Sequence, residues 1–223
     1  MQSFSKTASA GSALNEQQVR EVIAKTCSAE NYRGKRVVVI VPDGTRSAPV
    51  GLMFKTLHKQ IASATKSFDV LIALGTHQPM SEAAICQRLD ISEAQRKETY
   101  RAVQFFNHAW DKPAALKNIG TIPGDEIKAM TNGLFGMDVP VEINRLVFEY
   151  DQVSIIGPVF PHEVVGFSGG NKYLFPGVSG PQILNFFHWL GAVVTNPMII
   201  GNKWTPVRRV VDRAGAMVSV DKL

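Results

Sequence analysis

Three segments of this 223-residue chain concentrate side chains able to do chemistry. In Pro42-Asp43-Gly44-Thr45-Arg46, a carboxylate, a hydroxyl and a guanidinium fall within four residues. The planar donors of Arg46 match a carboxylate or phosphate in a two-point fork. The same residues also fit a plain Asp-Gly turn beside a surface arginine. In Gly75-Thr76-His77-Gln78-Pro79-Met80, His77 stands in a loop, where an imidazole can exchange a proton near neutral pH or simply serve the loop. The third segment runs from His162 to Gly180, and Gly166, Gly169, Gly170, Gly177 and Gly180 make five glycines in fifteen residues. That density lets backbone N–H groups approach an anion closely. Lys172 lies within it, with an amine able to hold a phosphate or become a covalent anchor. It is not a P-loop lysine, because Asn171 precedes it and Tyr173 follows. Nor do His162 and Glu163 open a zinc-protease HExxH, since Gly166 occupies the second histidine's place. His188 follows sixteen residues after Lys172 and suits nickel, copper or zinc, or an ordinary helix position.

The elements that carry these segments are legible as periodicities. Arg36 to Pro42 is a continuous β-branched run, the pattern of a strand covered on both faces. Apolar residues at helical spacing from Val50 to about Ala62, then a second apolar run from Phe68 to Leu74, complete a strand–helix–strand unit. Asn15 with Gln18 predicts a helix to about Lys25, and helices are expected over Ser81–Leu89 and from Ser92 to about Tyr100. Val103–Phe106 and Val153–Val159 read as strands, and Glu142–Glu149, Pro181–Leu190 and Pro206–Ala214 as helices. This alternation predicts an α/β class: a single, Rossmann-like domain with a mostly parallel sheet flanked by helices. Residues 1–30 are expected to be an N-terminal extension and first helix, and 31–223 the domain proper. Ligands of such sheets bind at the carboxyl ends of strands, which gathers the three segments along one edge.

Composition narrows the function classes. With 45% hydrophobic and 19% charged residues the chain can bury a core, which excludes a disordered tail. The net charge of +5 is spread over singletons and pairs such as Lys35-Arg36, so no nucleic-acid arm is expected, while a small anionic substrate is allowed. Cys27 and Cys86 are the only cysteines and form no CxxC pair, which suggests neither a disulfide framework nor a cysteine metal site. The apolar runs are far shorter than the ~20 residues of a membrane-crossing helix. The N-terminal segment, with one lysine and no apolar block, does not read as a secretory signal. The expectation is a cytoplasmic protein with no membrane contact.

PDGTR at 42–46, LGTHQPM at 74–80, PVEINRL at 140–146 and PHEVVGFSGGNKYLFPGVSG at 161–180 together resemble the nickel-pincer lactate racemase family, over about Val37 to Val218. The resemblance implies a 2-hydroxy acid racemase that works by hydride transfer to a nickel pincer nucleotide. It places the covalent cofactor anchor on Lys172, the nickel ligand on His188 and the two proton-transferring histidines on His77 and His162. Asp43, Thr45 and Arg46 fall in its phosphate- and substrate-binding loop, with Gly169 and Gly170 beside the anchored cofactor. Two histidines suit the chemistry, because each enantiomer needs its own base while hydride transfer avoids a carbanion.

Extra residues around Arg96–Phe106 and Ile122–Met137 are expected to reshape the cleft, so the hydroxy acid need not be lactate. The family's C-terminal domain, which closes over the cofactor, has no counterpart before Leu223, so a partner domain in cis or in trans is implied. The alternative is a cofactor-free domain that binds an anion or a partner chain. A zinc hydrolase would need a third ligand near His162 and His188 that no motif offers.

Overall fold

The computed structural model describes residues 3–223. Its first half contains α1 (Glu16–Thr26), β1 (Arg36–Pro42), α2 (Val50–Ile61), β2 (Ser67–Ala73), α3 (Glu82–Arg88), α4 (Glu93–Lys97) and β3 (Phe105–Asn107). Then follow β4 (Leu116–Ile122), α5 (Gly124–Met130), β5 (Val139–Asn144), β6 (Gln152–Ile155), β7 (Pro161–His162), β8 (Gly166–Phe167), α6 (Pro181–Val194), α7 (Asn196–Ile199), α8 (Pro206–Ala216) and β9 (Asp221–Lys222).

β1 is buried along all but its first residue, as a β-branched run requires. Side chains alternate across the pleat, so each face of β1 feeds a separate core. Val37, Val39 and Val41 pack with Ile23 of α1, Phe54 and Leu57 of α2 and Ile85 of α3. Val38 and Ile40 pack on the opposite side with Phe187 and Leu190 of α6 and Val210 of α8. α1 therefore contributes to the core and is fixed at its start by the Asn15–Gln18 capping box expected from sequence.

The main sheet has the order β3-β2-β1-β6-β9 with every pairing parallel. It is an α/β fold with a mostly parallel sheet, helices on both faces and a single domain. The chain steps outward from β1 to β2 to β3, then returns to the other side of β1 as β6. The loops after β1 and β6 consequently diverge, opening a crevice at the strands' carboxyl ends.

Two expectations need correction. Glu142–Asn144 belongs to β5, and only Arg145–Glu149 turns, as a 3₁₀ helix. Val139, Val141 and Ile143 are buried alternately with half-buried Pro140 and Glu142, a period of two that outweighs the helix-forming residues that follow. The strand expected over Val153–Val159 stops at Ile155, ahead of Gly157-Pro158, where Pro158 has no N–H for a ladder. β4 and β5 pair as an antiparallel hairpin that flanks the stretch Ile122–Met137, and α5 lies within that stretch. Among the described residues no helix is long and apolar enough to cross a membrane.

Candidate functional site

The loops after β1 and β2, the β7–β8 hairpin, the turn behind it and α6 enclose a crevice of about 180 Å³. Asp43, Arg46, His77, His162, Lys172 and His188 line it, so side chains scattered over 146 residues of sequence converge there. Gly75 N–H donates to Gly177 O at 2.9 Å, tying the His77 loop to the glycine-rich segment. The crevice adjoins a hollow of about 330 Å³ lined by Thr45, Arg46, Ser47 and Glu163. Thr45, Arg46, His162, Glu163 and Ser168 border both spaces.

Asp43 is the organising residue of the first loop. Its Oδ1 accepts from Thr45 N–H at 3.1 Å and Thr45 Oγ1–H at 2.5 Å, and its Oδ2 lies 2.5 Å from His77 Nδ1. Burial alone would raise its pKa, but the Thr45 and His77 hydrogen bonds prevail and hold the carboxyl below the usual range. An ionised carboxylate only accepts, so His77 Nδ1 carries the proton and Nε2 keeps its lone pair. His77 is thereby set as a proton acceptor with Asp43 behind it.

His162 is set the other way. Val164 N–H donates to His162 Nδ1 at 3.1 Å, so the neutral ring carries its proton on Nε2. Burial, then the nearby Lys172 ammonium, pushes its pKa down to about 4, against the opposing pull of Glu163. His188 Nδ1 lies 2.9 Å from Leu184 O one helical turn back, so Nδ1–H donates to that carbonyl and Nε2 is left as a ligand atom.

Lys172 sits on a 3₁₀ turn, Gly170–Tyr173. Gly169 and Gly170, at φ 88° and 57°, supply the left-handed bend that enters this turn, and a Cβ on Gly169 would lie 2.5 Å from Val159 Cγ2. Burial first, and Arg46 second, lower the Lys172 amine to about 8. About a tenth of it is then neutral and nucleophilic at pH 7, far more than for an ordinary lysine. Gly169 and Gly170 do not line the crevice. They border a separate groove with Lys203, Trp204 and Arg208 and lead into the turn that carries Lys172.

Pattern reading gave no role to His108, which is buried behind the site. Its Nε2–H donates to Ser179 O at 3.0 Å while Asn144 Nδ2–H donates to its Nδ1 at 3.1 Å, and Asn144 N–H donates to Val178 O at 2.8 Å. Burial lowers its pKa to about 4, so the ring stays neutral and clasps the glycine-rich segment to β5. Glu163 was visible only as a neighbour of His162, yet it reaches the crevice wall.

The donor set constrains any metal held here. Among the described residues no group of three or more histidine, cysteine, aspartate or glutamate side chains is assembled for a metal ion. A metal on His188 Nε2 would therefore need ligands from outside this set of side chains. A chelating group anchored on the Lys172 amine would be one source of them. The crevice beside Lys172 and His188 opens onto the hollow at Thr45–Ser47.

The sequence profile of the lactate racemase N-terminal domain matches residues 2–198. This chain belongs to that family. The lactate racemase of Thermoanaerobacterium thermosaccharolyticum is 28% identical over 152 residues, which cover 67% of this chain and 31% of that relative. A Thermotoga maritima protein of known crystal structure superposes with a TM-score of 0.83 at 32% identity, covering 94% of this chain and 50% of the other. The lactate racemase apoprotein structure from T. thermosaccharolyticum gives 0.69 at 24% identity over 92% of this chain and 46% of that one, a likeness of fold. The chain thus spans between about a third and a half of the length of these family relatives.

Proposed function

We propose that this lactate racemase N-terminal domain carries the cofactor- and proton-handling side of a racemase or epimerase acting on a lactate-like 2-hydroxy acid. The observation that supports it most is the convergence of His77, His162, Lys172 and His188 on one crevice. Lys172 would anchor a nickel pincer nucleotide through its partly neutral amine, and His188 Nε2 would hold the nickel. When bound, that group supplies a hydride acceptor, so C–H cleavage needs no carbanion.

This chain's residues handle the rest. Arg46 pairs with the substrate carboxylate, and His77 Nε2 takes the hydroxyl proton with Asp43 stabilising the imidazolium. His162 serves the opposite enantiomer. Trp189, Val193, Met198, Ile200 and Trp204, all exposed on and just after α6, suit a further polypeptide domain, in cis or in trans, that closes over the site.

Co-expression with pincer-synthesis proteins, followed by intact-mass and metal analysis, tests the proposal. A mass increase with stoichiometric nickel is expected. Lys172→Ala should abolish the adduct, whereas His188→Ala should keep the adduct and lose the nickel. No adduct on the wild-type chain would instead favour a cofactor-free anion- or partner-binding domain.

A further inference from the structure

Three imidazoles border the crevice, and their backbone and carboxylate contacts do not set them alike. His77 and His188 each have Nδ1–H engaged, by Asp43 Oδ2 and Leu184 O, and each leaves an Nε2 lone pair. His162 alone has Nδ1 filled by an N–H, that of Val164, and so keeps its Nε2 protonated. In that state its Nε2 can donate a hydrogen bond but has no lone pair with which to accept a proton. A base for the second enantiomer must therefore reach the other tautomer.

A partner for that tautomer is already adjacent. Glu163 Oε2 lies 3.5 Å from His162 Nδ1, just outside firm hydrogen-bond range. Val164 N–H and the Glu163 carboxylate compete for the same ring nitrogen but demand opposite protonation, since the first needs a lone pair there and the second an N–H. Glu163 is kept ionised although burial opposes this: a hydrogen bond from its own backbone N–H, followed by the proximity of His162 and the charges of Arg46 and Lys172, holds its carboxyl below the usual range. The charged and titratable groups facing His162 are Lys172, Glu163, Arg46 and His188, and Glu163 is the sole acceptor of protons among them at neutral pH that lies beside Nδ1.

We propose that Glu163 is the positioning residue that switches His162 between donor and acceptor: by accepting a hydrogen bond from Nδ1–H it stabilises the tautomer whose Nε2 is free to accept a proton. The switch moves one proton within the imidazole, from Nε2 to Nδ1 by way of solvent, with no net change in charge. It gives His162 the same carboxylate backing that Asp43 gives His77, and so equips both walls of the crevice for proton abstraction. This rests on the racemase reading only for its purpose. The tautomer switch itself is a property of the chain without cofactor.

Nitrogen-15 NMR of histidine-labelled chain at pH 7 separates the alternatives, because pyridine-like and pyrrole-like ring nitrogens differ widely in shift. For the wild type, His162 Nδ1 is expected between the two limits, reporting exchange. In Glu163→Ala it should move to the pyridine-like limit, a loss of the Nδ1–H population, and in the isosteric Glu163→Gln it should move in the same direction. The side chain of Glu163 is 60% exposed, so both variants should fold, and unchanged His77 signals confirm it. A wild-type His162 already at the pyridine-like limit, or one whose shifts are the same in all three proteins, overturns the proposal. Neither result depends on whether Lys172 takes up a nucleotide, so failure of the switch and failure of the proposed function are separable.

Discussion

Replacing Lys172 by methionine should make this protein more stable at pH 7. The side chain keeps its length while the buried ammonium disappears. Burial and Arg46 move the amine from the ordinary lysine value of 10.5 to about 8 in the folded chain. With 1.36 kcal/mol for each tenfold change in proton affinity, the folded state gives up roughly 3 kcal/mol to hold that proton, an upper bound before local relaxation. The sign follows from linkage. Above pH 8 the folded chain sheds the proton while the unfolded chain keeps it until about 10.5, so wild-type stability rises relative to the variant across that window. For a domain of this size 1 kcal/mol shifts Tm by about 2–4 °C, which gives a Tm for Lys172→Met up to about 10 °C higher at pH 7. Paired thermal melts from pH 7 to pH 10 measure it. A Tm equal to or below that of the wild type at pH 7, or a gap that fails to narrow as pH rises, would refute the placement of a half-buried, desolvated amine in the crevice.

Asp43→Asn should lower kcat of the cofactor-loaded enzyme by about 100-fold or more, because an amide that donates to His77 Nδ1 leaves Nε2 in the wrong tautomer. Enantiomers have an equilibrium constant of one, so kcat/KM must fall equally in both directions. Unaltered turnover would remove His77 from the proton path. The acid limb of stability should reflect the two buried neutral histidines. His162 and His108 both drop from 6.5 to about 4, so the stability they lend is complete above pH 6.5 and is lost as pH falls towards 4, by up to about 3 kcal/mol each. Denaturant midpoints between pH 7 and pH 4 should decline less steeply in His162→Phe than in the wild type, and parallel declines would contradict a buried neutral ring.

Much of this was legible from residue order because it depends on local periodicity. The β-branched run of β1, the amphipathic spacing of α2 and the caps at Asn15, Ser81 and Ser92 each act within a few residues. The alternation of strand and helix then selected an α/β sheet and put the loops carrying Asp43, His77 and His162 at one edge. β5 was misread because its alternation is short and its pairing partner, β4, is an equally weak strand whose burial depends on the hairpin forming.

What the sequence determined by itself was the inventory: which carboxylate, guanidinium, amine and imidazoles this chain possesses, and that strands deliver them to a common side. Their chemical states were decided by the folded structure. A proton's position on His77, His162 or His188 is set by which acceptor or donor the fold brings against Nδ1, namely Asp43 from another strand, Val164 from a hairpin, or Leu184 one helical turn away. Likewise the lowered pKa of Lys172 comes from burial by segments distant in sequence, and the side of the turn on which Gly169 and Gly170 fall puts them on a separate groove. Desolvation and the Asp43–His77 contact, 34 residues apart, are properties of neighbours in space, whereas the Val164 and Leu184 contacts lie within four residues and follow from the local backbone conformation.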